Sequence, residues 1–205
     1  MFEWIGQYSD TLSVLLTGLS AIVWLGYLQI LSTQLSRSRR PVILISRSAG
    51  RGLTARLFVS NMSAAPIYVT SLVAELDTDD ATSVAIITDS DDISSDMPSK
   101  ATNEGPLGSG QFLDVGTYGT LLDRVEAHSR PSVKAADIRR MTLTVAASSG
   151  YSARLVGARR TFLLGSEDGE IVFSPEALDT TQITGPWARR CLRRRLEKLL
   201  RDGNF

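Results

Sequence analysis

The pattern of apolar and polar positions divides the chain into three parts. Residues 11–36 carry no charge, and apolar side chains are densest over 12–31. Between residues 42 and 182, short stretches alternate apolar and polar residues with a period of two and are separated by turn residues. From Pro186 onward, leucines recur every three or four residues among arginines. The pattern predicts an apolar helix, a β-rich domain and an amphipathic helix, in that order.

The uncharged segment 11–36 is long enough to cross a membrane. An α-helix rises 1.5 Å per residue, so about 20 residues span a hydrocarbon layer of ~30 Å. A cleavable signal peptide fits this segment less well, because it begins with a basic region, whereas residues 1–10 contain Glu3 and Asp10 and no Lys or Arg. We therefore expect a retained transmembrane helix.

Basic residues on one side of the helix predict its orientation. Arg37, Arg39 and Arg40 follow the apolar segment, and nothing basic precedes it. Basic flanks stay on the cytoplasmic side of a membrane. We expect a single-pass protein of the inner (plasma) membrane, with residues 1–10 outside, a basic juxtamembrane linker at 37–41, and the rest of the chain in the cytoplasm. Pro41 is expected to end the helix.

One side of the predicted transmembrane helix carries small side chains. Ser13, Thr17 and Ala21 stand four residues apart, and Gly18 lies beside them. Small residues allow two helices in a membrane to approach closely. This stripe is the predicted packing face for another transmembrane helix.

The segment 42–182 predicts one mainly β domain. Turn-forming residues separate the candidate strands, and only a short helix at 117–128 interrupts them. Residues 89–110 are rich in Gly, Pro, Ser and Asp and predict a long exposed loop. The predicted strands are 42–46, 53–60, 67–76, 84–88, 111–115, 140–147, 151–156, 160–164 and 171–173. This number of short strands favours an antiparallel, immunoglobulin-like β-sandwich.

Candidate catalytic and cofactor motifs all lack part of their required context. Residues 50–55 have the glycine spacing of a dinucleotide-binding loop, but a period-two strand follows them instead of a helix. His128 is the sole imidazole, and Ser109 lacks the flanking pattern of a hydrolase nucleophile. One His and one Cys are too few for a zinc site. We expect no catalytic residue, cofactor or metal ligand.

The C-terminal segment 186–202 predicts a basic amphipathic helix, with seven basic and two acidic side chains. The side chains predicted to contact a membrane surface or a protein partner are Arg189, Arg190, Arg193, Arg194, Arg195 and Lys198, together with Arg37, Arg39 and Arg40. Two alternatives stay open: the leucines pack on the β-domain and leave the arginines in water, or the arginines bind nucleic acid.

The net charge of zero conceals a segregated charge pattern. Residues 37–56 carry six bases and no acid, 57–105 carry nine acids and one base, and 171–205 carry four acids and seven bases. This layout favours a membrane-anchored docking or scaffold protein, such as an accessory subunit of a larger membrane complex. Its expected partners are the bilayer, anionic lipid headgroups and an unidentified protein, with no nucleic acid and no small-molecule substrate. The alternative is a membrane-tethered enzyme with its site near the loop 89–110.

Overall fold

The computed structural model describes residues 9–38, 40–48, 50, 52–79, 81–87, 102–128, 137–149, 154–167 and 170–202. The chain forms two compact units, Met1–Arg40 and Pro41–Phe205. The first unit contains helix α1, Ser9–Ser38. This helix ends shortly before Pro41, as expected from the restriction that a proline places on the residue before it.

The second unit is built from ten strands and two helices within the described residues. The strands are β1 (Ile43–Arg47), β2 (Arg56–Asn61), β3 (Ile67–Thr78), β4 (Thr82–Ile86), β5 (Gly105–Leu107), β6 (Phe112–Thr117), β7 (Ile138–Ser149), β8 (Leu155–Glu167), β9 (Glu170–Pro175) and β10 (Thr181–Ile183). Helix α2 is Tyr118–His128, and helix α3 is Pro186–Asp202. The mainly β prediction, with one helix at each end of the chain, is confirmed.

The strands form two antiparallel sheets. The small sheet has the order β1-β2-β6, and the large sheet has the order β10-β8-β7-β3-β4. Strand β5 pairs with β3 beside β4, and β9 pairs with β8 beside β10. The large sheet is therefore five strands wide, because each of its two edge positions is shared by two short strands.

Two sequence predictions need correction. From residue 155 onward, the two predicted strands 151–156 and 160–164 form one strand, β8, because Gly157 stays in the ladder opposite Ala146. Residues 150–153 lie outside the described part of the chain. The predicted loop 89–110 contains strand β5, although residues 88–101 lie outside the described part of the chain.

The glycine-rich segment 50–55 forms the β1–β2 connection, where Gly52 adopts a φ of 62° that favours glycine.

One hydrophobic core joins both sheets and α2. The small sheet contributes Ile45 and Leu57, and the large sheet contributes Leu143 from its central strand β7. Helix α2 adds Leu121 and Val125, neither of which is exposed. Alternation along the strands brings these side chains together, because successive residues point to opposite faces of a sheet.

Asn61 at the end of β2 connects the turns on one side of this core. Its side-chain amide donates to the carbonyl oxygens of Ala65 and Leu107, each at 2.9 Å. Its Oδ1 accepts hydrogen bonds from the amide and the hydroxyl of Ser63. Asn61 is fully buried, so these bonds satisfy a polar group that would otherwise destabilise the fold.

Side chains close the outer edge of β1. The amide of Ile43 donates to Gln182 Oε1 at 3.1 Å, and Gln182 Nε2 donates to the Ile43 carbonyl at 2.6 Å. The amide of Ile45 donates to Thr180 Oγ1 at 3.1 Å. The Arg160 guanidinium donates to the Ile45 carbonyl. We name Arg160, Thr180 and Gln182 the edge clasp, because they replace the backbone partners that another strand would supply.

Replacing Thr180 with Val tests the edge clasp. The change keeps the side-chain shape but leaves the buried amide of Ile45 without an acceptor, which should lower the free energy of unfolding by about 1–3 kcal/mol. Urea unfolding of the full chain in detergent micelles, followed by circular dichroism, measures this loss. The matched control is Thr181→Val, because Thr181 is the exposed neighbour of Thr180. Equal stability of the two variants would show that the Thr180 bond of the clasp contributes nothing.

Candidate membrane and docking surfaces

Helix α1 exposes apolar side chains around its whole circumference. Its segment Thr11–Gln34 has 24 residues and a mean hydropathy of 1.9. Its large apolar side chains are between 42% (Leu31) and 72% (Val14) exposed. A helix of 24 residues is about 36 Å long, which exceeds the ~30 Å hydrocarbon core. The helix is therefore long and apolar enough to cross a membrane.

The predicted packing stripe lies on the exposed surface of α1. The Thr17 hydroxyl donates to the Ser13 carbonyl at 2.7 Å, which satisfies this polar group within the helix. Open space surrounds Gly18, since a Cβ placed there meets no heavy atom within 4 Å. Ala21 is exposed as well. A second helix could approach closely at Gly18, and its contact with this stripe stays a prediction.

Helix α3 packs one apolar side on the large sheet. Leu192 and Leu199 are only 5% and 8% exposed, and Leu199 contacts Val73 and Ile86. Val73 lies between core residues of β3, so its side chain points away from the core to the outer face of the sheet. The apolar side of α3 is thus used for packing within the domain, which was one of the alternatives left open by the sequence.

An ion pair with a buried carboxylate adds to this packing. Arg195 Nη2 lies 2.6 Å from Glu75 Oε2, and the two side chains are 43% and 10% exposed. Glu75 Oε1 has no hydrogen-bond partner within the described residues. Since a buried carboxylate without a cation is costly, Arg195 favours the docked position of α3. The sequence gives no sign of this pair, because Glu75 lies in a strand 120 positions away from Arg195.

The other predicted contact residues fall into three groups. The first group is exposed on α3 or just before β1 and comprises Arg190, Arg193, Arg194, Lys198 and Arg40. Arg189 is half-buried, and its Nε donates to the Gly185 carbonyl at 3.4 Å. Arg37 belongs to the last turn of α1, and Arg39 lies outside the described residues. Their contact with a membrane or a partner stays a prediction.

The outer face of the small sheet carries an aromatic pair. Phe58 on β2 and Phe112 on β6 pack edge to face with ring centroids 5.3 Å apart, and Phe112 is 65% exposed. Leu44 on β1 is exposed on the same face. An ion pair between Arg56 and Asp114 at 2.7 Å borders the aromatic rings. The sequence pattern alone assigns Phe112 to a strand but does not show that it points outward.

A cavity of about 330 Å³ lies where β3 and β5 meet β6. Its lining comprises Tyr68, Val69, Thr102, Asn103, Glu104, Gly105, Pro106, Leu107 and Leu113. Glu104 is the single carboxylate in this lining. Ser109 lies in the turn between β5 and β6, and His128 is the last residue of α2. Within the described residues, no three His, Cys, Asp or Glu side chains are grouped so that they could hold a metal ion.

Tyr118 is a titratable side chain that is buried in the core. Its ring stacks on Phe173 at 3.9 Å and meets Phe162 edge to face at 5.5 Å. Burial raises the pKa of its phenol above the usual range, and the guanidinium groups of Arg47 and Arg160 oppose this rise. The phenol therefore stays protonated at physiological pH and acts as a packing group.

The chain matches no protein-family model, no curated protein and no solved structure. Function is therefore inferred from the exposed surfaces of α1, α3 and the small sheet.

Replacing Gly157 with Ala tests the packing of α3. A Cβ at Gly157 would lie 2.8 Å from Leu192 Cδ2 and 2.7 Å from the Val145 carbonyl oxygen, both too close for unstrained contact. We expect faster hydrogen exchange in α3 and a loss of about 1–3 kcal/mol in unfolding free energy. The control in the same strand is Gly165→Ala, where a Cβ meets nothing within 4 Å. Unchanged exchange in both variants would contradict the packed position of α3.

Proposed function

We propose that this chain is a single-pass, membrane-anchored docking protein. In this proposal, α1 crosses an inner (plasma) membrane with its N-terminus outside, and the β-domain faces the cytoplasm. The observation that carries the proposal is the fully exposed apolar circumference of α1, because surfaces of this extent require a lipid or protein environment. The basic residues after α1 support the orientation.

The docking role is supported by the outer face of the small sheet. Phe112 is an exposed aromatic side chain, and aromatic residues including Phe are enriched at protein interfaces. Strand β6 ends the small sheet, whereas the outer edge of β1 is occupied by the edge clasp. A protein partner that binds along β6 would contact Phe112 and Phe58 together. Such a partner fits the role of an accessory subunit or scaffold in a membrane complex.

The proposal includes an immunoglobulin-like sandwich as the framework of the docking face. Two antiparallel sheets with one shared core support this assignment. Helix α2 contributes Leu121 and Val125 to that core, which is an addition to a simple two-sheet arrangement. In this framework the inner faces of the sheets provide stability, and the outer face of the small sheet remains available for binding.

A membrane-tethered enzyme is the second candidate. The cavity beside β5 supports it, because part of the lining comes from the end of the predicted loop 89–110. The described lining provides one carboxylate, Glu104, as a candidate general acid or base. Docking is therefore the better supported function. A Glu104→Gln variant that keeps its cellular function would argue further against the enzyme.

A fusion reporter tests the membrane orientation. We expect a reporter that works only in the cytoplasm to be active after Phe205, and a reporter that works only outside the membrane to be inactive there, because Arg37, Arg39 and Arg40 retain the C-terminal side in the cytoplasm. Changing the three arginines together to Gln should reduce this preference. Activity of the external reporter in the unchanged chain would contradict the orientation.

Site-specific photo-crosslinking tests the docking face. A photoreactive residue at Phe112 in the full chain, expressed in its native membrane, should form a discrete adduct with another protein. The control position is Leu163, which is 40% exposed on the large sheet. Adducts at position 112 but not at 163 support docking at the small sheet. The absence of adducts at 112, or the same adducts at both positions, would contradict it.

A further inference from the structure

The packing of α3 determines which of its side chains face the solvent. Leu192 and Leu199 point to the large sheet, and Arg195 reaches Glu75. With 3.6 residues per turn, a different set of residues lies on the side of the helix away from this interface. This set is Trp187, Arg190, Arg194, Lys198 and Arg201, all of them exposed, and we name it the basic ridge.

The basic ridge combines cations with an exposed indole. Trp187 is 77% exposed, and the Arg190 guanidinium lies 5.9 Å from the centre of its ring. Among the α3 side chains that the structure describes, Glu197 is the one acid, so the four cations of the ridge exceed it by three. Arg201 Nε donates to the Glu197 carbonyl at 3.1 Å, and this bond leaves its charge uncompensated. The result is a cationic strip with an amphipathic aromatic residue at one end.

We propose that the basic ridge contacts anionic lipid headgroups of the membrane that α1 crosses. This inference rests on the anchoring part of the proposed function. Headgroup phosphates attract Lys and Arg near a membrane surface, and Trp favours the interface between headgroups and hydrocarbon. Leu192 and Leu199 take no part in this contact, because the large sheet already covers them. The ridge therefore adheres to the membrane surface while α3 stays docked on the domain.

This arrangement differs from that of an amphipathic helix that inserts into lipid. An inserting helix buries its apolar side in the membrane and needs no anionic lipid for that part of its affinity. A ridge that binds by charge depends on anionic lipid and is weakened by salt. Single-stranded nucleic acid would be attracted by the same cations and stacked by Trp187, and it is the competing partner that the experiment must exclude.

The single cysteine of the chain allows a direct measurement on the full-length protein. Cys191 is exposed on α3 beside the ridge. A fluorophore attached to Cys191 should be quenched by headgroup-labelled lipid when the protein is in nanodiscs with about 30% phosphatidylglycerol, and not in nanodiscs of phosphatidylcholine alone. About 0.5 M salt should reverse the quenching. Equal quenching in both lipids, or none in either, would overturn the proposal.

A charge-matched pair of variants identifies the residues responsible. We expect the triple variant Arg190→Gln, Arg194→Gln and Lys198→Gln to shift the equilibrium between the membrane-bound ridge and the free ridge. The shift should be about ten-fold or more toward the free ridge. The control removes three positive charges elsewhere, by Arg139→Gln, Arg140→Gln and Arg154→Gln, all at exposed positions. Equal loss of quenching in both triple variants would show that total charge, and not the ridge, attracts the lipid.

Two further outcomes distinguish a failure of the membrane anchor from a failure of the ridge proposal. If the chain does not incorporate into nanodiscs at all, the membrane anchor of the proposed function fails. If it incorporates but the label on Cys191 is never quenched in anionic lipid, the anchor stands and the ridge proposal fails. A single-stranded oligonucleotide that changes the fluorescence in neutral nanodiscs, and displaces the label from anionic lipid at stoichiometric amounts, would assign the ridge to nucleic acid instead.

Discussion

The edge clasp is the constraint on which the arrangement of the β-domain depends. Strand β1 pairs with β2 on one side, and on its other side Thr180 and Gln182 provide the hydrogen bonds that a further strand would supply. Arg160 adds a bond from the large sheet to the same strand. These three side chains join the two sheets where the backbone ladders stop. They also satisfy buried backbone groups whose isolation would be costly.

The clasp links the first strand of the domain to its last. Thr180 and Gln182 belong to the segment that leads through β10 into α3, so the position of β1 and the start of α3 are coupled through a few hydrogen bonds. The leucines of α3 and the Glu75–Arg195 pair then hold the helix on the large sheet. The exposed side of α3 is in this way determined by contacts made on its opposite side.

Sequence reasoning predicted the elements with strong local periodicity and missed the contacts between distant segments. The β-branched and aromatic residues of 67–76 predicted β3, and the leucine spacing predicted α3, because these signals lie within ten or twenty residues. The clasp joins residues 115 or more positions apart, which no local pattern indicates. Gly157 lies between two segments that were predicted as separate strands, and its missing side chain allows the close approach of Leu192. Phe112 was assigned to a strand, but its outward direction depends on the register with β2.

The hydrogen bonds of Asn61 also determine how deamidation of this residue would affect the domain. Deamidation would convert its side chain to a carboxylate, which cannot donate to the carbonyl oxygens of Ala65 and Leu107 and would place a negative charge against them. The folded state shields this amide, since the residue is fully buried. A chain that deamidates at Asn61 before folding would lack the donor that joins these turns. Folding soon after synthesis therefore preserves the group on which the folded state relies.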